Sequence, residues 1–460
     1  MGEIVKGDKR TIRGWVMYDW ANSVYNLVIS SAIFPIFFDT VTTKYYLSKK
    51  FPETSWEDLS PDMLQAGEQV LVDFMGFELP NSALMSFILS ASFLVVSFSS
   101  PLLSGIADYR GSKKTFLKFF CYLGSISCIS LYYFTDLLRA NLLELGMLSL
   151  FFASIGFWNS LVFYNSYLPE IAHKEDLDKI SARGFTMGYL GSMVLLIACL
   201  VLMQVFEIPV AYCFVLVGIW WIGFSQITYR VLPANKQQRA KEKGIIWKGF
   251  KELKHVFVEF KQTKRLKRYL VAFFFFNTGV QTVMLMATFF SKKEIDWPMK
   301  DGKVDDSGLI ISILLIQILG AVGAFLMSRL SAKIGNVKTL GISLVIWMGV
   351  CAAAFVIKTP FEFYILASFV GIVMGGVQAL ARSTYSKYLP ETEDHASYFS
   401  FYDATEKIGI VTGTLFFGMM EIAFDSIRFS VVSVAFFFII GFFLLFRIPS
   451  KESSSLQGFS

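Results

Sequence analysis

Long apolar stretches separated by polar breaks recur twelve times along this chain, and nothing else in it limits the fold as strongly. Each is close to the ~20 residues that a helix needs to cross a bilayer. They are placed at 14–38, 81–106, 117–136, 142–164, 182–205 and 209–231, then at 269–290, 307–328, 339–357, 361–382, 399–423 and 427–447. Lipid offers no partner to a backbone N–H or C=O, so each segment must satisfy its own as a helix. Only 17% of the residues are charged, against about 25% in soluble domains. The expected fold class is therefore an all-α integral membrane protein.

The first stretch shows that the helices cannot all face lipid. Residues 14–38 read GWVMYDWANSVYNLVISSAIFPIFF, with Asp19, Asn22 and Asn26 among apolar side chains. At 100° per residue, Trp15, Asp19, Asn22 and Asn26 fall within about 60° of arc. That wet stripe needs a cavity or a polar neighbour.

An even number of spans puts both termini on one side. Roughly three of every four of the 42 Lys and Arg residues fall in the N-terminus, the even-numbered loops and the tail. By the positive-inside rule that side is cytoplasmic, which in a bacterium means a multi-pass protein of the inner (plasma) membrane. The N-terminal stretch is too long and too polar-striped for a signal peptide. The chain thus divides into an N-terminal six-helix bundle (1–231), a basic linker (232–268), a C-terminal six-helix bundle (269–448) and a cytoplasmic tail (449–460). Residues 39–80 are an external insertion, with a short helix expected on the outer face. In the linker Trp247, Phe250, Leu253, Phe257 and Phe260 recur at helical spacing among lysines. Such a helix suits an anionic membrane surface, so the net charge of +6 calls for no nucleic acid. The five cysteines lie in apolar runs without metal or disulfide spacing.

The halves repeat. Ser166-Tyr167-Leu168-Pro169-Glu170 follows span 4, and Lys387-Tyr388-Leu389-Pro390-Glu391 follows span 10. Matching loops six spans apart imply two repeated bundles around a central cavity.

The loop Gly105-x-x-Asp108-x-Arg110-Gly111-x-Lys113-Lys114 resembles the signature loop of the major facilitator superfamily. The resemblance implies that fold, two pseudo-repeated six-helix bundles with spans 1, 4, 7 and 10 lining the cavity. It also implies that Asp108 pairs near the start of span 11 and that the basic residues help hold the cytoplasmic side closed. Four further stretches narrow it: Tyr18-Asp19-Trp20-Ala21-Asn22-Ser23, Tyr164-Asn165-Ser166 through Ala172, Ser181-Ala182-Arg183-Gly184 through Gly191, and Gly375-Gly376-Val377-Gln378 through Ser383. Together they resemble the autophagy-linked vacuolar amino-acid effluxers of fungi and their bacterial relatives. Where that branch often has an Asp before the glycine that here is Gly279, this chain has Thr278.

No catalytic signature, Walker loop or zinc motif is present, so an enzyme is not expected, nor is a cofactor. The candidates are polar side chains inside spans, where a charge costs at least ~2.5–3.5 kcal/mol. Asp19, Asp108, Arg110, Arg382, Asp403, Glu406 and Lys407 form the first group, placed at one depth near the cytoplasmic mouth as a gate or coupling cluster. Asp403 and Lys407 stand at i, i+4 and can pair. Static structural pairing is the other reading of this group. Proton coupling needs a buried carboxyl group that exchanges a proton at working pH, and Asp19 and Glu406 are its candidates. The second group is neutral: Asn22, Tyr25, Asn26, Trp158, Asn165, Asn277, Gln281, Gln317 and Gln378. Amides suit a zwitterion or polar solute, and aromatic rings suit its apolar part, while hydrogen bonding between neighbouring helices explains amides equally well. The expectation is a monomeric secondary transporter of a small polar organic solute, amino acids first. A lipid or lipophile exporter of the same fold and a non-transporting sensor or scaffold remain beside it.

Overall fold

The computed structural model describes residues 5–64, 68–233, 245–300, 303–304 and 307–449. Among them twelve helices are long and apolar enough to cross a membrane. They are span 1 (Lys9–Lys50), span 2 (Asn81–Arg110), span 3 (Lys113–Arg139), span 4 (Leu143–Ile171), span 5 (Leu177–Gln204) and span 6 (Ala211–Val231). The second set is span 7 (Lys264–Glu294), span 8 (Gly308–Ile334), span 9 (Asn336–Ala354), span 10 (Pro360–Tyr388), span 11 (His395–Phe424) and span 12 (Ile427–Phe446).

Local chemistry sets several ends. Asp8 accepts from the backbone N–H groups of Arg10 and Thr11 and so caps span 1. Its bonds to Thr11 hold its carboxyl below the usual carboxylate value. Span 10 opens on a capping box, Thr359 with Glu362, with Pro360 at the first helical position.

Span 1 is longer than its apolar core. A π-helical stretch, Tyr25–Ala32, interrupts it, and the helix then runs on from Ile33 to Lys50. Residues 39–50 therefore continue the span and do not open the insertion. Of the short surface helix expected in 39–80, the described residues show one 3-10 turn, Pro61–Met63, and beside it a hairpin, β1 (Leu71–Phe74) antiparallel to β2 (Phe77–Pro80). Met75 and Gly76 turn it with φ of 54° and 81°, the positive values that two-residue hairpin turns require. Trp56 packs against the first-half core, with the Arg139 guanidinium 5.2 Å from its ring.

Each half has its own core. Trp15, Tyr18, Tyr25, Phe34 and Trp221 are fully buried in spans 1–6, and Tyr269, Trp347 and Phe438 in spans 7–12. Large apolar side chains also cover the outside: Phe98 is 79% exposed and Ile422 86%. An apolar core inside an apolar coat is what lipid solvent selects. The halves meet where span 5 packs on spans 8 and 10, and where spans 2 and 4 pack on span 11. The linker helix (Ile245–Gln262) lies across spans 2 and 11. The preceding linker residues 234–244 and the tail from 450 onward lie outside the described residues.

Candidate functional site

The charged residues of the spans are not at one depth. They form three tiers, rising from the end that carries the basic even-numbered loops.

The outermost tier is a pair of latches. Asp108, at the end of span 2, reaches across to the start of span 11. Its carboxylate accepts from the backbone N–H of Ser397 (2.7 Å), from Ser397 Oγ (2.8 Å) and from the Ala396 N–H (3.3 Å). An acid from one half thus caps the unsatisfied N–H groups of a helix in the other, where the helix dipole favours negative charge. Lys113 bonds to Asp108 (3.4 Å) and to Glu170, and Glu170 faces His395 Nδ1 at 3.2 Å. The second latch is the pseudo-symmetric counterpart with the acid on the helix. Asp178, at the start of span 5, accepts from Lys387 Nζ (2.5 Å), Asn336 Nδ2 (2.8 Å) and Ser331 Oγ (3.0 Å). Arg110 takes no part: its buried Nε has no partner among the described residues.

The next tier is an ion pair between the halves. Arg382 Nη2 on span 10 stands 3.1 Å from Asp19 Oδ2 on span 1, and both side chains are more than nine-tenths buried. Arg382 uses its whole fork. Nε donates to Ser181 Oγ (3.0 Å), Nη2 also to the Ser181 carbonyl (2.9 Å), and Nη1 to Asn165 Oδ1 (3.1 Å). Phe185, Trp15 and Tyr164 box the guanidinium at 4.2, 4.8 and 5.6 Å from their ring centres. Tyr164 also donates to Asp19 Oδ2 (2.8 Å). Span 5 comes this close because position 184 is glycine: a Cβ there would lie 2.2 Å from Asp19 Oδ2 and 2.8 Å from Arg382 Nη2.

The deepest tier is on span 11. Asp403 does not join Arg382; it pairs with Lys407 (3.0 Å), which also faces Glu406 at 3.5 Å. The Lys407 ammonium sits 3.4 Å over the ring of Trp158 from span 4, and Gln281 of span 7 donates to Glu406 (2.6 Å). Two acids and one base meet here. Lys407 is fully buried, and Asp403 Oδ2 is buried without a partner among the described residues.

The neutral candidates separate. Asn165 belongs to the Arg382 network. Gln378 accepts from Tyr189 (2.6 Å) and Gln317 from Ser192 (3.3 Å), each tying the second half to span 5. Tyr25 does not line a cavity: it is fully buried against Phe157 and Trp221, inside the first half. Asn22 and Asn277 are buried, and the Nδ2 of each lacks a partner among the described residues. Asn26, one turn above Asn22, is exposed. Thr278 is fully buried and bonds to the Phe274 carbonyl of its own helix (2.6 Å), so no titratable group stands there. Residues not singled out as site residues complete the tiers: Trp15, Tyr164, Ser181 and Phe185 around Arg382, and Glu170, Asp178, Lys387 and His395 in the latches. Tyr164, Glu170 and Ser181 lie in the motif stretches, which was their visible signal.

Residues 7–457 match the family model described as "Vacuole effluxer Atg22 like". The chain is 28% identical over 456 residues to the uncharacterized MFS-type transporter YxiO of Bacillus subtilis (strain 168), covering 96% of each chain. It is 25% identical to autophagy-related protein 22 of Eremothecium gossypii, over 98% of this chain and 92% of that one. Among solved structures it resembles FucP, a major facilitator superfamily transporter crystallised in the outward conformation, with a TM-score of 0.60 at 13% identity, over 97% and 99% of the two chains.

Proposed function

As a member of the Atg22-like vacuole effluxer family, and so a transporter of the major facilitator superfamily, this chain carries solute and is not an enzyme; we propose that its solute is a small polar organic molecule, an amino acid first, moved by rocking the two halves about a central site. The basic end is the cytoplasmic one, with both termini there, since Lys and Arg gather in its loops. In a bacterial cell the membrane is the inner one, and the chain acts as a monomer. The state described here is closed at that end.

The observation that carries this reading is the buried Asp19–Arg382 pair. It is made between the halves, so rocking must break it, and a buried pair broken without compensation costs about 3–5 kcal/mol. Static pairing within one bundle would face no such change. The opposing state must repay that cost, through water entering the opened mouth and through bound solute.

Above the pair, Asn22 of span 1 and Asn277 of span 7 hold buried amide donors without a partner among the described residues, which suit a carboxylate group of the solute. The Asp403–Glu406–Lys407 tier has one carboxylate in excess and an unpartnered oxygen, which suits an ammonium group or a proton. Trp158 offers a ring face beside them. This arrangement favours a zwitterion; of the coupling candidates it keeps Glu406 and puts Asp403 in the place of Asp19.

The test is solute-induced thermal shift on the purified full chain across amino acids, peptides, lipophilic drugs and lipids, followed by counterflow in proteoliposomes. An amino-acid response absent from Asn277→Ala supports the reading. A response to lipids or lipophiles alone overturns it.

A further inference from the structure

The linker helix joins the halves where they part. Its inner face meets the last turns of span 2. A Cβ on Gly105 would stand 2.4 Å from the Gly249 carbonyl oxygen, and one on Gly249 would stand 2.6 Å from Ile106 Cγ1. Backbones this close leave no room for a side chain at either position. Lys248 lies 5.6 Å from the centre of the Tyr109 ring, beside the latch acid Asp108. Two turns on, Val256 is fully buried, and Phe257 and Phe260 pack against Phe401 of span 11 at 5.9 and 5.7 Å. The helix thus grips span 2 at one end and span 11 at the other, the two spans that Asp108 and Ser397 hold together.

Its outer face is mostly exposed, and Phe257 alone of its rings is placed against another span, at Phe401, among the described residues. Trp247 and Phe250 stack on one another yet are 64% and 47% exposed, and Phe257 remains 42% exposed. At 100° per residue, Trp247, Phe250, Lys254, Phe257 and Lys261 fall within about 80° of arc, with Lys251 and Val258 at its edge. Lys251, Lys254 and Lys261 are all exposed. Span 2 and span 11, on which the helix lies, also carry exposed apolar side chains, Phe98 and Ile408. Phe401, level with its far end, stands six residues inside the start of span 11, or about 9 Å along that helix. Rings at that level reach the acyl boundary, and the lysine ends reach phosphates.

We propose that the linker helix is a strap bound by anionic phospholipid headgroups of the cytoplasmic leaflet, and that this binding favours the state closed at the basic end. Charge complementarity and the level of the stripe select lipid over an acidic protein: lysines alternate with aromatic rings that only a partly apolar partner covers. A lipid that pins the strap flat keeps its grip on spans 2 and 11 together, so their separation requires the strap to lift from one of them. The proposal rests on the gate described above, but only for its second half.

The test uses the full chain in nanodiscs of phosphatidylcholine, with and without phosphatidylglycerol. Spin labels at Lys174→Cys and Lys333→Cys report the distance across the basic end; both positions are exposed, one in each half, and the five natural cysteines are buried. Phosphatidylglycerol is expected to raise the ratio of short- to long-distance populations several-fold. The variant Lys251→Gln/Lys254→Gln/Lys261→Gln should lose that response while keeping its distribution in phosphatidylcholine alone. A response that survives in the triple variant, or none in the parent chain, overturns the coupling. Binding is read separately, by quenching of tryptophan fluorescence. Brominated phosphatidylglycerol should quench more than brominated phosphatidylcholine at the same mole fraction, and Trp247→Phe should remove the excess. Equal quenching by the two lipids overturns the lipid site itself. Distances that move with solute but ignore phosphatidylglycerol would sink the strap and leave the transport reading standing.

Discussion

Arg382 of span 10 places its guanidinium 3.1 Å from the Asp19 carboxylate of span 1, with both side chains withdrawn from water. A pair like this is poor evidence for stability but good evidence for a constraint on states, because its worth depends on its partners staying in place. Here the partners belong to the two halves, which the proposed alternating access must separate.

Replacing Arg382 by Ala leaves Asp19 buried and uncompensated, a loss of about 3–5 kcal/mol in the closed state. Arg382→Lys keeps the charge but cannot reach Asp19, Ser181 and Asn165 together, and each lost bond costs about 0.5–1.5 kcal/mol. Thermal melts of the purified variants should rank the parent above Lys and Lys above Ala. Transport should fall in the same order.

Gly184→Ala separates fit from chemistry. Alanine favours a helix over glycine by about 1 kcal/mol at most. Its Cβ, however, would meet Asp19 Oδ2 at 2.2 Å, and overpacking costs typically 1–3 kcal/mol. The expected result is a net loss of stability with span 5 pushed off span 1, and a faster opening of the basic end. A variant that melts higher and transports normally would mean that span 5 adapts freely.

The Lys407 tier predicts a rescue. Lys407→Met alone leaves two acids facing each other in a buried site and should destabilise by about 3–5 kcal/mol. Adding Asp403→Asn removes one of them and should restore most of the melting temperature. Restored folding without restored solute binding is the expected outcome of the double variant, measured by solute-induced thermal shift.

Asp394, between spans 10 and 11, predicts a pH response. Burial first, then Glu252 and Glu259 of the linker helix, raise its carboxyl above the usual value of 3.8, while Lys113 opposes them. A raised carboxylate pKa means that the docked state holds the proton better than the undocked one. The added stability is therefore full below the ordinary value and is lost as pH rises through the raised one. Hydrogen exchange of the linker helix should slow on acidification through that window. Asp394→Asn should flatten the dependence at the slow end.

The fold was legible because lipid leaves so little choice: apolar length suffices to count the spans. The site was legible only in part. Asp19, Asp108 and Arg382 stood out because a charge in an apolar run needs a reason. Their partners were visible only as members of the motif stretches: Ser181, Tyr164 and Phe185 gain a role only once spans 4 and 5 are laid against spans 1 and 10. Depth was misread for a similar reason. Asp403 lies two turns inside span 11, and helical spacing alone does not reveal that Arg382 reaches down to Asp19 and not up to Asp403. Tyr25 lies outside the arc of Asp19, Asn22 and Asn26 at 100° per residue, and its ring turns into the first half, against Phe157 and Trp221.

The most direct test of the account is the distance across the basic end, read from spin labels at Lys174→Cys and Lys333→Cys in Asp19→Asn without solute. The short distance dominating the parent chain is expected to give way to a longer one, and Arg382→Gln to shift it in the same direction. An unchanged short distance in both variants would contradict the account, and would make the Asp19–Arg382 pair a passive contact between halves closed by other forces.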